Sequence, residues 1–425
     1  MNNFAVTPEI QSNSPQCQYF VVRKKRLCRM TVRPGRHYCG EHEPQPRSCD
    51  GKDDDTRIPC PNDPKHTCYA SKLEKHLSIC NARKQEQPSY IVQNINAPTQ
   101  LDECARLPLN KIPLDTILKV IEKVNLLYDE HLKDKIKTLP EKPIHACIRE
   151  EFNEVGRTES SLRHLRQASQ LLHLLEEEQL VTKNTCYVEL GAGKGHLSYY
   201  AWRAWCQDGD STVVLVDRAS LRHKRDNKLR DPTGSVQRIR ADLAHLALGR
   251  VPAVQRRAAV VGYAKHLCGV AMDYALRCVA GVAGAGGAAL ATCCHHRCAR
   301  AAAVAAPPLQ ELGINDEDFN VMLGVVSWAT CGDGRSRRRR EADAAGGDSA
   351  PAPPPRPDAD AADVGTKNLN LDRAQREQIG RRAKALLDWG RVLYLKEHGF
   401  DARLVYYVPT SVSLENICII AKKIN

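Results

Sequence analysis

Seven cysteines fall within the first 80 residues (Cys17, Cys28, Cys39, Cys49, Cys60, Cys68 and Cys80), in a stretch with no apolar run long enough to build a core. Such a segment folds only if something replaces burial, and a metal ion held by thiolates and imidazoles does this in small modules. The cysteines combine with histidines in two groups. Cys17, Cys28, Cys39 and His42 follow C-x10-C-x10-C-x2-H, a closed shell of three sulfurs and one nitrogen suited to tetrahedral zinc. The alternative is four unconnected residues in a flexible basic arm, since Arg23, Lys24, Lys25, Arg26, Arg29, Arg33 and Arg36 fill the loops between them. Cys60, His66, His76 and Cys80 follow C-x5-H-x9-H-x3-C, and a helix through SKLEKHLSIC sets His76 and Cys80 on one face. Cys68 competes with His66 for its place, and spacing leaves that choice open.

Eighteen cysteines are compatible with this reading only where thiols stay reduced. The opening MNNFAVTPEIQSNSPQ has neither a basic n-region nor an apolar h-region, so no secretory leader is expected. The longest uncharged stretch, Cys278 to Cys294, is Ala/Gly-rich and shorter than the roughly 20 apolar residues of a spanning helix. An intracellular protein, in cytoplasm, nucleus or both, without a membrane segment is expected. Lys and Arg number 62 against 50 Asp and Glu, a net charge of +12 that suits a polyanionic partner without specifying one.

Beyond the cysteine-rich region, KIPLDTILKVIEKVNLLYDEHLKDKI has the three-and-four apolar recurrence of an amphipathic helix, within a connector spanning 91–155. TESSLRHLRQASQLLHLLEEEQL predicts a second helix capped near Thr158. From about residue 184 the pattern changes. CYVELG, TVVLVD, AAVVGY and GAALATC are strand-like runs, each followed by a loop or helix, which argues for an α/β domain with a mostly parallel sheet. ARLVYYV and NICIIAKK, joined by PTSVSLE, read as two closing strands. Residues 333–366, rich in Pro, Ala, Asp and Arg, predict a disordered insertion.

The run Glu189-Leu190-Gly191-Ala192-Gly193-Lys194-Gly195 follows the first of these strands. Its glycines permit a tight turn and close backbone approach to a ligand. The dinucleotide form G-x-G-x-x-G is not met, because position 196 is His, and no G-K-[ST] follows as in a P-loop. E-x-G-x-G-x-G is the loop by which class I methyltransferases hold S-adenosylmethionine. Asp217 ends the next strand, where a carboxylate can accept both ribose hydroxyls, and Asp242 in IRADLAHL lies where such folds meet the adenine.

Two motifs are expected at the carboxyl ends of later strands. Lys265-His266-Leu267-Cys268-Gly269 follows the fourth, and Cys293-Cys294-His295-His296-Arg297-Cys298 the fifth. Methyl transfer to a hydroxyl needs positioning and a proton acceptor, which makes Lys265, His266, His295 and His296 the candidate catalytic residues. CCHHRC also permits a metal site, or thiols that merely pack the sheet edge. SWATCG (327–332) fits the rim of a pocket or a plain turn.

In sum these motifs closely resemble the eukaryotic tRNA 2′-O-methyltransferases that modify nucleotide 4 of the acceptor stem. The residues that carry the resemblance are the finger at 17–42, the CHHC finger at 60–80, RHLRQAS (163–169), VELGAGKGHLS (188–198), KHLCG, CCHHRC, SWATCG and YYVPTSVSLEN (406–416), in family order. The resemblance implies a CCCH finger at 14–45, a CHHC finger at 57–84 and a Rossmann-like class I methyltransferase domain over 156–425. That domain would have a mostly parallel sheet with a terminal antiparallel strand. It further implies S-adenosylmethionine, two structural zinc ions, and methylation of the ribose of cytidine or adenosine 4. The Ala/Gly-rich stretch 279–306 and the insertion depart from the family pattern.

Charge points the same way. LRHKRDNKLR (221–230) and RSRRRR (335–340) offer phosphate contacts, or solvated surface and, for the second, a nuclear-import signal. Two other classes compete with the RNA methylase: a methyltransferase acting on a base, protein or small molecule, and a catalytically inert zinc-finger adaptor. The absence of an Asn/Asp-Pro-Pro-aromatic loop at 265–269 weighs against base methylation; the intact glycine loop and Asp217 weigh against the adaptor.

Overall fold

A computed structural model of the chain describes residues 16–21, 26–32, 34–40, 42, 57–80, 82–83, 87–98, 106–221, 224–229, 231, 233–331 and 369–424. The insertion at 333–366, RSRRRR and part of 221–230 lie outside these residues. The chain divides into a unit over 1–87 and a larger unit over 88–425.

The smaller unit has two modules with little regular structure. In the first, β1 (Phe20–Val21) and β2 (Arg26–Leu27) pair antiparallel, and Cys17 N donates to Met30 O at 2.9 Å. In the second, β3 (Arg57–Cys60) and β4 (Asp63–Tyr69) form a hairpin followed by α1 (Leu73–Ile79). Among the described residues, the first module's cluster of buried apolar groups is Cys17, Cys28, Val32 and Cys39, so three of its four members are thiols.

The larger unit is built on one eight-stranded sheet. Its strands are β5 (Lys137–Thr138), β6 (Thr185–Leu190), β7 (Thr212–Asp217), β8 (Val236–Arg240), β9 (Ala259–Cys268), β10 (Ala285–Cys293), β11 (Phe400–Tyr406) and β12 (Ile417–Lys423). They lie in the order β5-β11-β12-β10-β9-β6-β7-β8. Every neighbouring pair is parallel except those of β12, which runs antiparallel to both β10 and β11. The antiparallel strand is the last in the chain, as expected, but it sits inside the sheet rather than at an edge.

Helices cover both faces. They are α2 (Leu114–His131), α3 (Ala146–Phe152), α4 (Glu159–Glu177), α5 (His196–Trp205), α6 (Pro252–Gln255), α7 (Val270–Ala280), α8 (Ala306–Glu311), α9 (Asp316–Val325), α10 (Trp328–Cys331) and α11 (Arg373–Glu397). The strand side chains alternate between two cores: Val188, Leu190, Val214 and Val216 join α2, α7, α9 and α11, whereas Tyr187, Val213 and Leu215 join α4 and α5. Burial on both faces explains why these strands read as continuous apolar runs. The segment expected as a connector contributes to this core, since Ile117, Val120, Ile121 and Val124 of α2 are buried in it.

Three elements depart from the sequence expectation. VQRIR forms β8 although only Ile239 is fully buried, because an edge strand needs one apolar position rather than a run. β9 continues through Lys265 and His266 to Cys268, since β10 keeps pairing with it as far as Cys293 opposite Cys268. SWATCG is helical over Trp328–Cys331, with the backbone of Ala329 against Gly380 of α11, where an added Cβ would lie 2.3 Å from Ala329 N.

Candidate functional site

The two cysteine groups of the smaller unit each draw four ligand atoms to within 4.8 Å of one another. In the first, Cys28 and Cys39 Sγ are 3.9 Å apart, and His42 Nδ1 lies 3.6 Å from Cys17 Sγ and 3.3 Å from Cys39 Sγ. Tyr19 stacks on the His42 ring at 3.8 Å between centroids, fixing its plane. In the second, Cys60 and Cys80 Sγ are 3.7 Å apart, His76 Nε2 is 3.1 Å from Cys60, and His66 Nε2 is 3.5 Å from Cys80. His66, not Cys68, completes this set; Cys68 is buried outside it. Asp63 Oδ2 stands 3.7 Å from His66 Nδ1, on the ring nitrogen turned away from the cluster. Sulfur and imidazole donors at tetrahedral edge lengths are a donor set chemically fitted to zinc.

In the larger unit the chain runs outward from β6 to β7 and β8, then returns to β9 on the other side of β6. The crevice beyond the carboxyl ends of β6 and β9 is therefore the topological switch point, where doubly wound sheets bind ligands. The glycine loop fills one side of it. Gly191, Gly193 and Gly195 all have positive φ, of 75°, 53° and 75°. Gly191 packs so closely on β9 that an added Cβ would lie 2.6 Å from Leu267 Cδ1, and at Gly195 it would lie 2.7 Å from Leu215 Cδ2 and Arg238 Nη2. Gly193 is different: a Cβ there meets nothing within 4 Å, so this peptide opens onto free space.

The loop is braced from several sides. Asp217 accepts from Gly193 N at 2.7 Å and from Ala219 N at 2.7 Å. Arg238, paired with Asp226 at 2.7 Å, donates to Gly193 O at 3.0 Å. Glu189 is buried and accepts from Ser198 N at 2.9 Å and from the Ser198 hydroxyl, which also meets Tyr263 Oη at 2.9 Å. Burial pushes the Glu189 carboxyl up to about 7 against the pull of the Ser198 hydrogen bonds. Glu189 thus ties the loop to the start of α5. Asp242 ends at the same rim, with one oxygen on Ala244 N at 3.0 Å and the other 3.8 Å from Arg218.

At the end of β9, Lys265 Nζ lies 3.0 Å from His164 Nδ1 of α4, and the His164 and His266 rings meet edge to face at 5.9 Å. Burial holds Lys265 down at about 8, partly offset by the Glu189 charge. Packing around the His266 ring, then the charges of Lys265 and His164, hold that imidazole at about 4, although the residue as a whole is exposed. A half-buried lysine with a lowered pKa therefore stands within the electrostatic reach of Glu189 at the start of the glycine loop. This contact of His164 with Lys265 was missed by the sequence reading, although His164 lies in RHLRQAS; helical spacing alone makes it one more residue on α4.

His295 and His296 separate. His296 is exposed, with its carbonyl held by Arg106 Nη1 at 2.9 Å. His295 is 1% exposed and its Nε2 meets Asp388 Oδ1 of α11 at 2.8 Å. Asp388 also accepts from Thr292 Oγ1 at 2.7 Å and Arg391 Nη1 at 2.9 Å, and Arg391 reaches on to Asp273 at 2.8 Å. Burial alone would raise the Asp388 carboxyl, but the His295 and Arg391 charges and the Thr292 hydroxyl hold it at about 2. Nothing in the apolar-run pattern marks Asp388 or Arg391, because α11 lies beyond the insertion. Of the basic run 221–230, Arg225 is committed internally: it pairs with Glu151 and stacks 4.4 Å over Tyr199.

A family model described as "Methyltransferase TRM13" matches residues 166–422, more than half of the chain, including the glycine loop, Lys265 and the CCHHRC turn. The chain belongs to the TRM13 methyltransferase family. Two further models, the CCCH zinc finger in TRM13 protein and the U11-48K-like CHHC zinc finger, match residues 15–43 and 57–81. TRM13 relatives match over nearly the full length. The "tRNA:m(4)X modification enzyme TRM13 homolog" of Mus musculus is 30% identical over 96% of this chain and 94% of its own. That of Homo sapiens is also 30% identical, over 96% and 94%, and the Kluyveromyces lactis enzyme is 29% identical over 96% and 95%. The resemblance seen in the motifs is thus a family membership. No helix among the described residues is long and apolar enough to cross a membrane.

Proposed function

We propose that this TRM13-family methyltransferase transfers a methyl group from S-adenosylmethionine to the 2′-hydroxyl of nucleotide 4, cytidine or adenosine, in the acceptor stem of tRNA. The names of its relatives support tRNA as substrate and position 4 as target. One observation carries the chemistry: Lys265 Nζ, held down to about 8 by burial, lies at the end of β9, at the same switch point as the open peptide of Gly193.

The residues fit the cofactor. Gly193 leaves free space beside the loop, while Asp217 and Asp242 present carboxylates at the ends of β7 and β8. Gly191 and Gly195 permit the turn, and Glu189 holds it through Ser198. S-adenosylmethionine supplies an electrophilic methyl group on a sulfonium. Lys265 in its neutral form takes the proton of the attacking 2′-hydroxyl. His164 Nδ1, 3.0 Å from Lys265 Nζ, holds the amine in position. His266 and His296 are exposed beyond the ends of β9 and β10 and so are open to substrate, whereas the buried His295 positions the CCHHRC turn through Asp388. A 2′-hydroxyl is displayed in the shallow groove of an A-form stem, so no base need be flipped.

The modules at 14–45 and 57–84 each hold one structural zinc through the eight residues named above, and guide the RNA to a catalytic unit over 156–425 that also takes in 91–155. The enzyme works inside the cell, where tRNA is. The test is methyl transfer from labelled S-adenosylmethionine to total tRNA, with the modified nucleoside and its position mapped, for wild type, Gly193→Asp and Cys60→Ser. A 2′-O-methyl mark at position 4 that disappears in Gly193→Asp supports the proposal. A label on a base, or none on RNA while the cofactor binds, overturns it.

A further inference from the structure

Outside the glycine loop and the fingers, three sulfurs converge at the carboxyl edge of the sheet. Cys268 ends β9 and Cys293 ends β10, in register on adjacent parallel strands, and their Sγ atoms are 3.5 Å apart. Cys294 follows directly. Along a strand its side chain would point to the opposite face. Instead its backbone turns left-handed, φ 48° and ψ 42°, and its Sγ joins the other two, so that all three lie within 4.8 Å of one another. A residue with a Cβ rarely adopts that conformation, so the third sulfur is brought in against the local backbone preference.

The spacing matches that of the finger clusters, where paired sulfurs are 3.7 and 3.9 Å apart. None of the three is in a disulfide. Cys293 is buried, whereas Cys268 and Cys294 are half-buried, so the cluster is closed below by the sheet and open on one side. The loops that carry it are pressed together, since a Cβ on Gly269 would lie 2.5 Å from Arg297 O. Two thiols suffice for a redox pair, and an apolar edge needs no sulfur; three convergent thiols are the donor set of a soft cation.

We propose that Cys268, Cys293 and Cys294 form a third metal site, a trithiolate that takes a soft divalent cation such as zinc and leaves its fourth position open to water or an outside donor. Binding forms three metal–sulfur bonds and releases the thiol protons to solvent. The ion would clamp β9 to the CCHHRC turn three residues beyond Lys265, a positional role distinct from proton transfer.

The test uses the full chain, expressed with zinc, dialysed against a weak chelator and analysed for metal by mass spectrometry. Wild type should retain about one zinc more than Cys294→Ser, while Cys17→Ser and Cys60→Ser each lose one from the fingers. The wild-type-minus-Cys294→Ser difference carries the result, so failure of the finger assignments is seen separately. Cobalt-substituted Cys17→Ser/Cys60→Ser, with both fingers broken, should keep thiolate-to-cobalt charge-transfer absorption that vanishes when Cys268→Ser is added. If Cys294→Ser does not fold, this cobalt spectrum decides. Equal zinc in wild type and Cys294→Ser, no cobalt band with the fingers broken, or a Cys268–Cys293 disulfide in the protein purified without reductant would overturn the site.

Discussion

Gly193 and Gly195 lie two residues apart in one loop and should fail in different ways. Both have positive φ, 53° and 75°, so alanine at either costs about 1–2 kcal/mol in backbone strain. At Gly195 the new methyl group would also lie 2.7 Å from Leu215 Cδ2, 2.7 Å from Arg238 Nη2 and 2.9 Å from Asp226 Oδ1. These neighbours cannot easily yield: Leu215 is fully buried, and Arg238 and Asp226 are locked in a two-pronged ion pair. Overpacking of this kind adds about 1–3 kcal/mol, giving roughly 2–5 kcal/mol for Gly195→Ala. At Gly193 nothing lies within 4 Å, so only the strain remains, yet the methyl projects into the space assigned to the cofactor. A tenfold loss of affinity is about 1.4 kcal/mol, and at least that is expected for Gly193→Ala. Urea unfolding of the full chain and calorimetric titration with S-adenosylhomocysteine measure the two quantities. Normal binding by Gly193→Ala, or a Gly195→Ala as stable as Gly193→Ala, would refute the steric account of the loop.

Other perturbations test other parts. Because the neutral form of Lys265 is the base, methyl transfer should rise with pH and level off above about 8, and Lys265→Met should lose at least 100-fold in turnover with cofactor affinity kept. Asp388→Ala leaves His295 buried without its carboxylate and Arg391 with Asp273 alone, and should cost about 3–5 kcal/mol in urea unfolding. The Cys147 and Glu176 partners raise His145 to about 9, so the stability this histidine adds is complete below its ordinary value of 6.5 and should fade as pH climbs through 9. His145→Gln should flatten that part of the stability–pH curve. Chelation of the fingers should unfold residues 57–80, seen as faster proteolysis there, while the sheet keeps its circular dichroism.

Much of this was legible in the residues, and the gaps have physical causes. Both four-residue Cys/His groups picked out by spacing come together because short loops connect them, although bringing His66 rather than Cys68 into the second needed the hairpin of β3 and β4. The strands showed as apolar runs because both faces of the sheet are covered. β8 did not, because an edge strand with one buried side chain carries little signal. His164 and Asp388 come to the site from distant helices, 101 and 93 residues from Lys265 and His295 respectively, and no local period encodes such meetings. His295 looked like its neighbour His296 in sequence; a 3-10 turn sends one inward and the other out.

The place of β12 has a consequence for how the protein is made. Residues 417–423 fill the gap between β10 and β11, so until they emerge from the ribosome β10 presents an unpaired parallel edge to the cell. The stretch from Cys293 to Ile417 takes roughly 6–25 s to synthesise at about 5–20 residues per second. During that interval the nascent chain holds an apolar strand with a free rim, and a chaperone that shields such edges would find its client there.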